Sequence, residues 1–265
     1  MFEQALDSLK LINQLEILIP VTILAVTLVA ISKSGFGGAL GSLGLPVMVL
    51  VFPPKLAIAV LLPLYLITDF FVAFTWRKFP VLKILKIMVV GGVLGQILGW
   101  LCFEYLDDRY ILILIGFLAL ITSIRYFKNL FLTKYFSNKT IEVKSSFLRA
   151  IGWCGFSGFS SFVALTGGIP AQIYLLPLGL ERKLFVGTMS FYFLIINLAK
   201  LPFFFNLEIF NHTSILLSVM VLPILPIGIY LGKLLNRKLS DQLFYHISHS
   251  ALFCCGINLI SKQVL

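Results

Sequence analysis

Charge is what this sequence has least of. Asp, Glu, Lys and Arg make up 12% of its 265 residues, where a soluble domain carries roughly 25%, and hydrophobic residues reach 59%. Most of the surface must therefore face lipid, which excludes a water-soluble globular domain. Acidic residues are the scarcer sign, 11 against 21 basic, for a net charge of +10. An excess of that size can mark a nucleic-acid partner. Here the charges fall in short clusters between apolar runs, the pattern of a bilayer-spanning chain, so lipid and not nucleic acid is the expected partner. Cysteine and histidine are also rare. Cys102, Cys154, Cys254 and Cys255 lie in apolar segments without CxxC spacing, and His246 and His249 stand three apart with no carboxylate nearby. Neither pattern holds a metal, no cofactor is expected, and the cysteines read as packing residues. The opening MFEQALDSLK has no basic n-region and no small-residue cleavage site, so no signal peptide is read there.

What is present is a series of apolar runs, at 15–31, 56–76, 84–103, 110–127, 147–165, 184–205, 214–231 and 243–260. Most approach the ~20 residues a helix needs to cross hydrocarbon. Two shorter apolar pieces, 45–52 and 169–178, follow the glycine-rich stretches SKSGFGGALGSLGLP (32–46) and GFSGFSSFVALTGGIP (155–170). The expected fold is an all-α polytopic integral membrane protein.

The two halves of the chain echo each other in order. GLP at 44–46 matches GIP at 168–170, KLAIAVLLPLYLITD at 55–69 matches KLFVGTMSFYFLIIN at 183–197, and GQILG at 95–99 matches GIYLG at 228–232. Asp69 aligns with Asn197. The echo predicts a duplicated unit of roughly 120 residues: repeat 1 over 1–128 (hairpin 15–52, helices 56–76, 84–103 and 110–127), a basic connector over 129–146, and repeat 2 over 147–265 (hairpin 147–178, helices 184–205, 214–231 and 243–260).

Basic clusters at Arg77, Lys78, Lys83 and Lys86, in the central connector, and at Lys233, Arg237 and Lys238 are expected on the cytoplasmic side. Eight simple crossings would put the last cluster outside. Charge and count agree if each glycine-rich segment enters the membrane, breaks, and leaves on the side it entered. Both termini then lie outside, and corresponding parts of the repeats face opposite sides, the inverted-repeat design of many transporters.

A broken helix in lipid exposes backbone groups at a cost of several kcal/mol each, so the breaks must face inward. Helices restarting near Pro46 and Pro170 aim free N–H groups at that interior, and the natural occupant is a small anion. The candidate binding residues are Lys33, Ser34, Gly37, Gly38, Ser42, Gly44 and Pro46 in the first break, and Ser157, Ser160, Ser161, Thr166, Gly167, Gly168, Pro170 and Gln172 in the second. Close helix packing by small residues is the commoner account of any single one of them. Three charges sit within or at the edge of spans. Lys33 and Asp69 are costly enough at a helix centre, roughly 2.5 to 3.5 kcal/mol each, to suggest a pair or a cavity site. Asp69, with Asn197 aligned to it, reads either as the carrier of a coupling proton or as an ion-pair partner of Lys33. Lys200, near the end of its helix, reads as a side chain snorkelling to the interface. Gly91, Gly95 and Gly99, and Gly228 with Gly232, have the small-xxx-small spacing of close contacts. Pro223 and Pro226 predict a kink.

The glycine break closing in GLP, the GGIP break, the Lys-led helix after each and the basic central connector together resemble the sulfite exporter TauE/SafE family of bacterial membrane permeases. The resemblance covers nearly the whole chain. It implies transport of a small, typically sulfur-containing anion such as sulfite, a sulfonate or sulfoacetate across the cytoplasmic (inner) membrane, and carries its breaks onto Gly37, Gly38, Gly44, Pro46, Gly167, Gly168 and Pro170. Two other readings compete. GFSG at 155–158 resembles the serine motif of rhomboid intramembrane proteases, with Ser157 as nucleophile and His249 or His246 as base, although no matching break in the first half is then required. A non-transporting membrane scaffold is the third.

Overall fold

Every regular element among the described residues is helical. The computed structural model describes residues 2–35, 41, 43–103, 105–135, 146–238 and 241–264. In chain order the elements are α1 (Phe2–Gly35), α2 (Gly44–Met48), α3 (Pro54–Thr75), α4 (Leu82–Phe103), α5 (Asp108–Tyr135), α6 (Phe147–Ala164), α7 (Gly168–Leu175) with a 3-10 turn at Leu176–Leu178, α8 (Arg182–Asn206), α9 (His212–Val221), α10 (Ile224–Lys238) and α11 (Asp241–Val264). Local chemistry sets several starts. Pro53 and Pro54 open α3, where a missing N–H costs nothing. Asn211 and Ser214 exchange side-chain and backbone hydrogen bonds in a capping box at α9.

Five helical stretches are long and apolar enough to cross a membrane: Glu16–Ser34, Pro54–Thr75, Leu82–Phe103, Asp108–Lys128 and Lys183–Asn206. A sixth is formed if α9 and α10 are taken together across a bend of 50°. The bend falls at Pro223 and Pro226, as their lost N–H groups and ring sterics require. The helices α6 and α11, which cover the apolar runs 147–165 and 243–260, are not among the five. Two bounds differ from those expected. Helix α1 begins at Phe2, well before residue 15, and α5 continues through Tyr135 into the segment read as connector, because neither stretch contains Gly or Pro to stop it. The chain is a multi-pass membrane protein, and its outer faces carry large apolar side chains such as Phe70, Phe74, Leu98 and Ile247.

Lipid tails are as apolar as leucine, so helices here associate through close packing rather than escape from water. The tightest seam joins α4 to α6. A Cβ on Gly95 would overlap the Gly155 carbonyl, one on Gly158 would overlap the Gly92 carbonyl, and Gly99 lies against Phe162. Only glycine lets these two backbones approach so closely. A second seam joins α1 to α10, with Gly228 against Ala30 and Gly232 against Ile31 and Ser34. A third runs antiparallel between α5 and α11: Arg109 donates to the Gln263 carbonyl at 2.9 Å, Gly116 meets Gly256, and Tyr126 hydrogen-bonds His246 at 2.9 Å. Helices α3 and α8 pack together in the middle. At one end of this pair Phe103, Phe162 and Phe204 form an aromatic knot, with the Phe162 and Phe204 centroids 4.7 Å apart edge to face. Towards the other end Met88, Cys154, Tyr174, Tyr192 and Ile196 form a second buried cluster.

Candidate functional site

The second glycine-rich segment breaks where the sequence places its break. Helix α6 ends at Ala164, and Leu165 takes a left-handed conformation with φ 50°, a strain of about 1 kcal/mol or more for a side chain of this kind. After Gly167 the chain restarts as α7 with Pro170 in its first turn. Gly167 is held back against α6, because the Ser157 hydroxyl donates to its carbonyl at 2.6 Å while Tyr192 on α8 donates to Ser157 Oγ at 2.9 Å. Arg149, near the start of α6, donates to the carbonyl of Ile173 at 3.3 Å. Helix α7 thus doubles back along the helix it follows.

The first segment ends α1 at Gly35 and restarts as α2 at Gly44, again with proline in the first turn at Pro46. Gly37, Gly38 and Ser42 lie outside the described residues. The carbonyl of Gly41 accepts a hydrogen bond from Tyr65 Oη at 2.8 Å. A tyrosine from each of the central helices α3 and α8 therefore grips one break.

Between the breaks runs a chain of buried polar groups. Lys33 Nζ on α1 donates to Asp69 Oδ1 on α3 at 2.7 Å. The other carboxylate oxygen accepts from Asn197 Nδ2 on α8 at 2.6 Å. Asn197 Oδ1 in turn accepts from Lys200 Nζ at 2.7 Å, and Lys200 donates a second bond to Ser161 Oγ on α6 at 2.8 Å. The Lys33 ammonium also lies over the Tyr65 ring, 4.4 Å from its centroid, a contact that gains strength out of water. All five members, Lys33, Asp69, Asn197, Lys200 and Ser161, are buried. A cavity of about 10 Å³, lined by Lys33, Gly41, Tyr65, Ser161, Leu165, Gly168, Phe193 and Asn197, sits where the chain meets both breaks. That is room for about one water molecule. The site is closed in this conformation, and an anion needs the helices to part.

Counted formally, two ammonium groups share a single carboxylate, for a net charge of +1. Asp69 is the only carboxylate bonded to either lysine among the described residues. Buried charge is costly without compensation, and this formal excess of one positive charge is the feature that sets the cluster apart from a simple ion pair.

The candidate residues divide by where their side chains go. Lys33, Asn197, Ser161 and Gly168 line the cavity, and Asp69 stands behind it, bonded to Lys33 and Asn197. Ser34 instead bonds the carbonyls of Ala30 and Ile229 at the α1–α10 seam. Ser160 bonds back to Phe156, Thr166 bonds the Ser160 carbonyl, and Ser157 braces Gly167. Gly44, Pro46 and Pro170 are buried in the first turns of the restarted helices. Gln172 is buried with its Nε2 atom unsatisfied. The snorkelling role expected of Lys200 is wrong. It is 0% exposed, because α8 runs on to Asn206 and the tip of α6 covers it. The sign available in the sequence was its i, i+3 spacing from Asn197, which puts both on one helix face. Tyr65 and Tyr192 were missed for want of any local signal. The serine–histidine pairing of the protease reading is also not formed. The Ser157 hydroxyl is committed to Gly167 and Tyr192, while His249 stacks on the Tyr126 ring at 4.1 Å.

Neither the curated proteins nor the solved structures yield a match to this chain. The family comparison does. The model of the family described as sulfite exporter TauE/SafE matches residues 22–259, a span that takes in both breaks, the buried lysine pair and all the helices between them, and the chain belongs to that family of membrane transporters.

Proposed function

We propose that this protein exports a small sulfur-containing anion of the sulfite or sulfonate type, holding it between Lys33, Lys200 and Ser161 at the meeting point of the two helix breaks. The observation that carries this reading is the buried Lys33–Asp69–Asn197–Lys200–Ser161 chain, which joins four helices and both halves of the molecule beside the cavity that both glycine-rich breaks line. An oxyanion there would take hydrogen bonds from the two ammonium groups and the Ser161 hydroxyl, with the start of α7 adding its positive dipole end.

Alternating access follows from two inverted repeats that rock about this point. The packing pattern supports that symmetry. The hairpin helix of each half lies on the glycine-bearing helix of the other, α6 on α4 and α1 on α10, and the pairs α3–α8 and α5–α11 map onto themselves when the halves are exchanged. The aligned residues Asp69 and Asn197 bond each other directly, as residues flanking a two-fold axis would. In this reading the hairpins 15–52 and 147–178 re-enter, the basic clusters face the cytoplasm of a bacterial inner membrane and both termini lie outside.

Flux measurements on purified protein in liposomes test the proposal. Radiolabelled sulfite or methanesulfonate crosses faster than in protein-free vesicles, Lys33→Gln and Lys200→Gln each slow it by about tenfold or more, and Lys262→Gln leaves it within about twofold. Equal flux in all three variants would remove the lysine pair from the site.

A further inference from the structure

We propose that Asp69 sets the valence of the anion that this site accepts: the buried cluster takes a singly charged anion, such as a sulfonate or the hydrogensulfite form of sulfite, and Asp69 is what excludes doubly charged ones. The inference deepens the anion-site reading above and rests on it. Its basis is the formal count. Lys33 and Lys200 supply +2, and Asp69, the only carboxylate bonded to them among the described residues, returns −1. All three side chains are buried, at 6%, 0% and 2% exposure, so no solvent stands by to absorb a mismatch, and in low dielectric one unmatched charge dominates all smaller differences between ligands. A monoanion brings the cluster to neutrality with Asp69 in place. A dianion leaves one negative charge unmatched beside a carboxylate.

The geometry keeps Asp69 from stepping aside. Its Oδ1 is held by Lys33 at 2.7 Å and its Oδ2 by Asn197 at 2.6 Å, and Asn197 is itself fixed from the other side by Lys200. The carboxylate is thus a built-in counter-ion anchored at both oxygens rather than a mobile gate. Asn197 occupies the equivalent place in the other half with an amide, the same shape without the charge. Had both positions been aspartate the lysines would be fully compensated, with no electrostatic vacancy for a ligand. Had both been asparagine the cluster would call for a dianion. Discrimination by net charge operates alongside shape and is the stronger filter between oxyanions of similar size.

The test compares methanesulfonate, singly charged, with sulfate, doubly charged, as substrates of the full-length protein in liposomes. Wild type prefers methanesulfonate by about tenfold or more. Asp69→Asn, formally +2, lowers that ratio by about tenfold or more, and adding Lys33→Gln, which returns the count to +1, restores the wild-type preference to within about threefold. An Asp69→Asn variant that keeps the wild-type ratio, or a double variant that keeps the ratio of Asp69→Asn, overturns the inference. Should Asp69→Asn fail to assemble, Asn197→Asp, formally 0, gives the opposite readout. Methanesulfonate flux then falls by about tenfold or more, and unchanged flux overturns the inference. The two levels of the account fail separately. A wild type that moves neither these anions nor sulfite defeats the anion site itself, whereas flux whose ratio ignores residue 69 defeats only the role given to Asp69.

Discussion

The α4–α6 and α1–α10 seams do the same job with different closeness. In the first, glycines stand on both helices, so Gly95 and Gly158 bring backbone against backbone. In the second, the glycines at the contact lie on α10, where Gly228 meets the Cβ of Ala30 and Gly232 meets Ser34 and Ile31. The partner helices differ in the same sense. Helix α4 is continuous over Leu82–Phe103, and the α9–α10 pair is bent by 50° at its prolines. One side of the molecule is thus a tightly locked pair of helices and the other a looser pair with a bend in it. The difference teaches that the two halves are not locked equally, and under the proposed repeat symmetry opening of the site begins where α1 slides on α10.

The charged centre repeats the asymmetry. Lys33 faces a carboxylate and an aromatic ring, whereas Lys200, from the other half, faces an amide and a hydroxyl. Removing the carboxylate alone is the largest single perturbation on offer. Asp69→Ala leaves Lys33 buried without its partner, and the loss expected is about 3–5 kcal/mol, read as a fall in melting temperature of the detergent-solubilised protein. Next comes the tight seam. Gly158→Ala drives a methyl into the Gly92 carbonyl, where no side chain can yield, for a loss of about 3 kcal/mol, again by melting temperature. A Gly228→Ala change tests the looser seam, where the new methyl meets the Ala30 Cβ at 2.7 Å rather than a backbone carbonyl, and costs about 2 kcal/mol. Gly152, on α6 but facing open space, closes the series: Gly152→Ala changes stability by at most about 1 kcal/mol and in the favourable direction, since alanine is the better helix former. A Gly228→Ala penalty equal to that of Gly158→Ala would erase the distinction between the seams.

Much of this centre was legible in the sequence, and the reason is cost. A lysine and an aspartate inside apolar runs, and glycine clusters where a helix should continue, are expensive in lipid. Lys33, Asp69, the restarts at Gly44 and Gly168 and the Pro223–Pro226 bend all announce themselves on that ground. What stayed hidden depends on which surfaces meet. Lys200 lies close enough to a helix end to pass for a snorkelling side chain until α6 is seen to cover it. Tyr65 and Tyr192 look like any aromatic in a membrane helix. Ser34, Ser160 and Thr166 carry the right chemistry for an oxyanion, yet their hydroxyls turn to nearby carbonyls, the commonest fate of such residues in helices.

The central claim is that an anion enters between the two breaks and lies against Ser161. With Cys102, Cys154, Cys254 and Cys255 replaced by serine or alanine and Ser161→Cys introduced, labelling by a water-soluble thiol reagent measures access to that point directly. In a variant that retains flux, the account predicts labelling that saturating methanesulfonate or sulfite slows by about threefold or more. A labelling rate indifferent to every transported anion would contradict it.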